Sequence, residues 1–230
     1  MMFLVAGRRS DSDARETRRS ILRRAADIGS VEGLRGITIG RLATDLEMSK
    51  AGVVGQFGSK EALQLATIEL AAEMFGEAVW APVADERPGL PRLLAICHSW
   101  VAYLADPPFT GGCFLALTGM EYGAQPGQVH DSLATVLARW RRTLLRDIRQ
   151  AIADGDLPAD TDAEQVVFVL ESLAGGTKGA KQLHGDDDVQ HRCLAAMHTT
   201  LGVAPPEWSS QSAVRAPRGR LKGRPEPASH

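Results

Sequence analysis

Thr38-Ile-Gly-Arg-Leu-Ala-Thr-Asp-Leu-Glu-Met-Ser-Lys-Ala-Gly-Val-Val-Gly-Gln-Phe-Gly-Ser-Lys60 reads as two short helices hinged by a tight turn. Ile39, Leu42, Ala43 and Leu46 recur at three- and four-residue intervals, which gathers them on one face of a first helix, and the Thr38 hydroxyl stands where it can accept from that helix's free amides. Ser49 is placed to cap the second helix in the same way. Val53 and Phe57, four apart, turn with Met48 toward the first helix and leave Lys50, Ala51, Gly52, Val54, Gly55 and Gln56 outside. Such an outer face suits a helix laid into a DNA groove, because the first residues of the second helix of a helix-turn-helix reach base edges while caps and lysines hold phosphates. An ordinary helical hairpin has the same periodicity, so the flanking residues must decide between the two.

Those flanks carry a family resemblance. Thr-Ile-Gly-Arg-Leu-Ala, Met-Ser-Lys-Ala and Val-Val-Gly-Gln-Phe-Gly-Ser-Lys-Glu-Ala-Leu closely resemble the DNA-binding domain of the TetR family of transcriptional regulators, over roughly Arg15 to Leu65. Phe57, the Ser59-Lys60-Glu61 start of the next helix and Leu63 stand at the family's spacing. Four positions depart from the pattern: Glu47 replaces the usual turn glycine, Ala51 a frequent glycine, Val54 the usual tyrosine and Gly58 a frequent proline. The missing tyrosine commonly touches a phosphate in the family, which leaves Val54 an apolar contact such as a thymine methyl. The resemblance makes Thr38, Ser49 and Lys60 candidates for positioning on phosphates, and Arg41, Lys50, Gly52 and Gln56 candidates for reading bases. A glutamine paired with adenine through two hydrogen bonds would be the most specific of these contacts.

Charge supports the same division of labour. The whole chain is near neutral, at −2, yet residues 8–60 hold 11 Lys and Arg against 7 Asp and Glu, residues 61–208 hold 10 against 20, and residues 209–230 hold 5 against 1. A basic head on an acidic body is what phosphate contact at one end of a molecule requires. A helix from Ala14 to Gly29 turns Ile21, Leu22, Ala25, Ala26 and Ile28 inward and Arg15, Arg18, Arg19, Arg23 and Arg24 outward; backbone contact and a solvated basic face both account for the arginines. With 44% hydrophobic and 23% charged residues the composition is that of a soluble globular protein, no stretch approaches the roughly 18 apolar residues of a membrane span, and the expected location is the cytoplasm. Three sparse cysteines, Cys97, Cys113 and Cys193, form neither a disulfide framework nor a zinc spacing.

The expectation is an all-α chain of about nine helices. It comprises a disordered arm (1–13), a three-helix helix-turn-helix DNA-binding domain (14–60), a larger helical bundle for effector binding and dimerisation (61–204) and a disordered basic tail (205–230). Periodicity places helices after Ser59, over 93–105, from Phe109 to about Gly123, over 128–154, from Asp162, and over 189–201. In the resembled family the last two helices build a homodimer's four-helix bundle; Ala174, Gly175, Gly176, Gly179 and Ala180 fit that interface or a tight internal seam. Arg218-Gly219-Arg220 and Lys222-Gly223-Arg224-Pro225 resemble a minor-groove hook, and equally a solvated basic tail.

Paired carboxylates, a nucleophile elbow and a phosphate-cradling glycine loop are absent from the sequence, so no enzyme and no cofactor are expected. His184, His191 and His198 fall seven apart, where a metal pair on a helix wants three or four, and no metal is expected. The body instead offers material for an effector pocket: Trp100, Tyr103, Phe109, Phe114, Leu117, Met120, Trp140 and Phe168, with Glu121 or Glu171 as a polar handle, and Cys113 at a helix start. That lining suggests an apolar or aromatic effector. An exposed Cys113 would be a reactive thiolate, a buried one a small hydrophobe. The implied function is a homodimeric, ligand-responsive repressor on a palindromic DNA operator. The alternative is a helical small-molecule-binding protein or enzyme whose head no longer reads DNA.

Overall fold

The computed structural model describes the backbone of residues 4–206 and the side chains from residue 12 onward; among these the fold is all-helical. Nine α-helices follow in order: α1 (Leu4–Glu32), α2 (Ile39–Asp45), α3 (Lys50–Phe57), α4 (Lys60–Phe75), α5 (Leu90–Ala105), α6 (Phe114–Tyr122), α7 (Gln128–Ala153), α8 (Ala163–His184) and α9 (Val189–Thr200). One turn of 3-10 helix, Leu34–Gly36, joins α1 to α2, and a widened π turn at Gly76–Trp80 runs on from α4. The expected disordered arm is corrected from Leu4 on, since α1 reaches back through residues 4–13; no proline stands in that stretch to stop propagation. The expected basic tail lies outside the described residues from 207, as does its hook-like sequence.

The caps sit where the sequence puts them. Thr38 Oγ1 accepts from the Arg41 amide at 3.2 Å, Ser49 Oγ from Gly52 at 3.0 Å and Ser59 Oγ from Ala62 at 3.0 Å. Asp162 caps α8 through the amides of Glu164 and Gln165. Gly58, at φ 77, ends α3 in a conformation that costs glycine nothing. Glu47, in the turn between α2 and α3, has φ 54 and is the one non-glycine residue with positive φ among those described.

One apolar core runs from Ile21 to Leu201. α4 is its centre: Leu63, Ala66, Ile68, Leu70, Ala71, Met74 and Phe75 are buried around most of its circumference, its first turns packing on α1 and α3 and its last on α6 and α7. The same helix therefore belongs to the head and to the body. Within the body, Arg92 and Asp147 form a buried pair (2.6 Å), and Asp147 also accepts from the Gly89 amide, which ties the start of α5 to the middle of α7. No helix among the described residues is long and apolar enough to cross a membrane.

Candidate functional site

The outer face of α3 carries exposed Lys50, Ala51, Val54 and Gly55, with Gly52 and Gln56 half-buried at its edges, while Val53 is buried against α2. Val54 is 40% exposed and apolar. Lys60 opens α4 beside this face, its ammonium 3.4 Å from the Arg35 carbonyl. Two candidates are already engaged. Arg41 is paired with Glu32 at 2.6 Å and approaches Asp45 at 3.8 Å, so reaching a base requires exchanging those partners. Gln56 keeps its side chain half-buried while its carbonyl accepts from Arg18, whose guanidinium also stacks 4.2 Å over Phe57. Arg18 thus closes α3 onto α1, a positioning role that outward helical periodicity alone did not assign.

The body contains a cavity of about 670 Å³, walled by α4 to α8. Phe75, Trp80, Trp100 and Trp140 give it an aromatic wall, with Leu104, Leu115, Val136 and Leu137 beside them. The rings interlock edge to face: Phe75 on Trp140 at 4.9 Å and 89°, Trp100 on Trp140 at 5.1 Å and 86°. The Trp140 N–H is buried with no hydrogen-bond acceptor. Arg139, Arg141 and Glu171 supply the charge; Arg141 holds Glu171 and Glu164, each at 2.8 Å. Burial pushes the Glu171 carboxyl above the ordinary carboxylate range, against the opposing pull of Arg141.

Of the expected pocket residues, Trp100, Cys113, Trp140 and Glu171 line this cavity. The others do not. Phe109 is buried away from it, packed edge-on to Phe114, and Tyr103 turns its hydroxyl to Cys113 from the far side. Leu117 is half-buried on α6 outside the lining, while Met120 and Phe168 are 76% and 59% exposed. Their placement has one cause: an apolar type marks a residue as buried or packable, not which of several faces it takes. Phe75 and Trp80, outside the expected set, occupy the end of α4 and the π turn, where Pro82 two residues on marks only the end of the helix. Cys113 is held as a thiol: burial raises its pKa more than the α6 amides of Ala116 and Leu115 and the Tyr103 hydroxyl lower it. That direction supports the reading of Cys113 as a small hydrophobe. No group of three or more His, Cys, Asp or Glu among the described residues is placed to hold a metal ion.

A family model described as "Tetracyclin repressor-like, C-terminal domain" matches residues 89–197. The transcriptional regulator AcuR of Cereibacter sphaeroides is 26% identical over 173 residues, 75% of this chain and 78% of that protein. A TetR transcriptional regulator from Chloroflexus aurantiacus superposes with a TM-score of 0.76 at 22% identity, covering 84% of this chain and 98% of that one. Residues 89–197 thus match the tetracyclin-repressor-like C-terminal domain, and the chain has the fold of TetR-family regulators. AibR, solved in complex with isovaleryl coenzyme A and operator DNA, has the same fold, with a TM-score of 0.65 and 19% identity over 83% of this chain and 99% of that one.

In this fold the expected polar handle Glu121 lies outside the cavity lining. It sits at the end of α6 and accepts from the Leu34 amide at 2.7 Å and the Arg35 amide at 3.4 Å, in the turn that leads from α1 to α2. Gly33, at φ 75, leaves the room: a side-chain carbon there would collide with the Glu121 carboxylate. Gln125 adds a bond to Arg35 (2.7 Å), and Gln64 of α4 reaches the Leu34 carbonyl (3.1 Å). The other end of α6 is fastened as well, since the Thr110 amide donates to Asp27 and the Gly111 amide to Ser30 Oγ, at 2.8 and 2.9 Å. A side chain on Gly111 would overlap the Ser30 carbonyl. Between those fastenings, Leu115 and Ala116 face the cavity.

Proposed function

We propose that the chain is a homodimeric repressor that occupies a palindromic DNA operator and releases it when an apolar or aromatic small molecule fills the body cavity. α3 enters the major groove, with Lys50, Gly52 and Gln56 toward the bases, Val54 toward a thymine methyl, and Thr38, Ser49 and Lys60 on phosphates; Arg41 joins once Glu32 gives it up. The observation that carries this reading is the pairing of a small, basic outer face on α3 with an aromatic cavity, the two connected by α6. AibR, of the same fold, was solved with both an acyl thioester and operator DNA, which supports a body that takes a ligand and a head that takes DNA.

A single eight-residue recognition helix reads too few base pairs to specify a site, and two heads across half-sites about one helical turn apart or more solve that. The second copy docks on α8 and α9, where Phe168, Gly175, Gly176, Gly179 and Leu183 present an open face. An effector that displaces Leu115 or Ala116 shifts α6, and the Glu121 clasp passes the shift to the turn before α2. Fluorescence anisotropy on DNA flanking the protein's own gene tests the reading. Gln56→Ala should relax preference at one position per half-site, whereas Lys60→Ala should weaken all sequences alike and lower the salt slope. A monomer with no preference among duplexes at moderate salt overturns it and leaves a helical small-molecule-binding protein.

A further inference from the structure

A row of arginines runs along the outside of α7 at spacings of three, four and three: Arg139, Arg142, Arg146 and Arg149. Such spacing keeps all four on one helix face. All are exposed, on a body that carries twice as many acidic as basic residues. Arg149 lies 3.7 Å from Glu164, a contact at the outer limit of an ion pair. The row is not a flat solvated stripe. Arg142, Arg146 and Arg149 line a depression of about 400 Å³ on the surface. The depression adjoins the aromatic cavity: Arg139 stands in the cavity wall, and the Arg146 guanidinium lies 5.4 Å from the ring of Trp80, which is part of that wall.

Guanidinium groups arranged this way match the geometry of phosphate oxygens, which they hold through paired, charge-assisted hydrogen bonds. From Arg139 to Arg149 the helix rises by about 15 Å, long enough for an extended tail leaving the cavity mouth. An apolar cavity alone asks for an apolar molecule, and a basic depression alone asks for an anion. Side by side across Trp80, they suit both in one ligand. We propose that the effector presents an apolar acyl or aryl group to the aromatic cavity on a phosphate-bearing tail, with the phosphates held by Arg142, Arg146 and Arg149 and the neck of the molecule passing Arg139. This rests on the reading of the cavity as the effector site.

The test uses the full chain and three probes, namely benzoate, coenzyme A and benzoyl coenzyme A, titrated by isothermal calorimetry at low and moderate salt. Benzoyl coenzyme A should bind at least about tenfold more tightly than either fragment, since the second contact is made at high effective concentration. That advantage should shrink as salt rises. In the R142A/R146A double variant, whose fold is checked by its helical circular dichroism, the ratio of benzoyl coenzyme A to benzoate affinity should fall to about one. Benzoate binding as tightly as its thioester overturns the proposal while leaving the cavity an effector site. Coenzyme A matching benzoyl coenzyme A overturns it in favour of an isolated anion site. A variant that keeps the full ratio also overturns it, and failure of all three probes removes the effector reading of the cavity itself.

Discussion

Glu47 is strained, and replacing it by glycine should stabilise the protein. Its φ of 54 lies in the left-handed region, held there by the Glu47 amide on the Thr44 carbonyl (3.3 Å) and the Met48 amide on the Ala43 carbonyl (2.8 Å). For a residue with a Cβ that conformation costs about 1–2 kcal/mol, which glycine avoids. Glycine also gives the unfolded chain more freedom, a loss of about 0.5–1 kcal/mol. The side chain is exposed and packs nothing, so the balance is a gain of about 0.5–1 kcal/mol, or roughly 2 °C in a domain of this size. Urea denaturation followed by circular dichroism measures it, with Glu47→Ala as the control, because alanine keeps the strain and should change stability by less than about 0.5 kcal/mol. Glu47→Asn should fall between them, since asparagine tolerates the left-handed region. Loss of stability in Glu47→Gly, or an equal gain in Glu47→Ala, refutes the argument. As the turn sits directly before α3, loss of the negative charge should also tighten DNA binding, most at low salt.

Three further outcomes follow from the geometry. Asp147→Ala leaves the Arg92 guanidinium and the Gly89 amide without their buried acceptor and should cost about 3–5 kcal/mol in urea denaturation, whereas the double replacement Arg92→Met with Asp147→Leu should recover most of it. The Glu171 carboxyl is pushed up by burial, so the stability it contributes is complete below the unfolded carboxylate pKa and is lost as pH rises through the higher folded value. Glu171→Gln should therefore raise the melting temperature at neutral pH and leave it unchanged near pH 4, with Arg141 retaining Glu164; an equal shift at both would contradict the assignment. Gly33→Ala should destabilise through both its positive φ and its collision with Glu121, and in a double-mutant cycle part of that loss should vanish once Glu121 is also alanine; strict additivity would show that the two residues do not meet.

The legible part of this fold was whatever local chemistry decides. Thr38, Ser49 and Ser59 cap the helices they were expected to cap, because a hydroxyl before an apolar-periodic run has few other uses, whereas Asp188 precedes α9 without a side-chain cap bond. The long amphipathic α7 was legible for the same reason, its apolar residues repeating over 26 residues. What stayed hidden depends on which elements meet. Residues 92 and 147 are far apart in sequence, and neither an arginine near the start of α5 nor an aspartate among the arginines of α7 signals a buried pair. The cavity was half legible: aromatic residues marked its material, but Phe168 and Met120 carry the same composition on faces that point to solvent.

Glu121 shows what sequence alone leaves open. A carboxylate on a short apolar helix needs a partner, and sequence alone offered only a ligand in that role. The structure supplies backbone amides instead, at Leu34 and Arg35, in a turn that only a glycine at position 33 leaves open. Leu34 is fully buried, so its amide has no water to fall back on, and the bond to Glu121 is the charged one in a junction that also receives Gln64. α6 is then attached to the head at both ends, by Glu121 at its end and by the Thr110 and Gly111 amides just before its start. Between them its inner face borders the cavity. A helix held in this way cannot yield to a ligand at Leu115 and Ala116 without moving one of its attachments. Where the motion loosens Glu121 from its largely exposed partner Arg35, it is delivered to the turn that sets the start of α2.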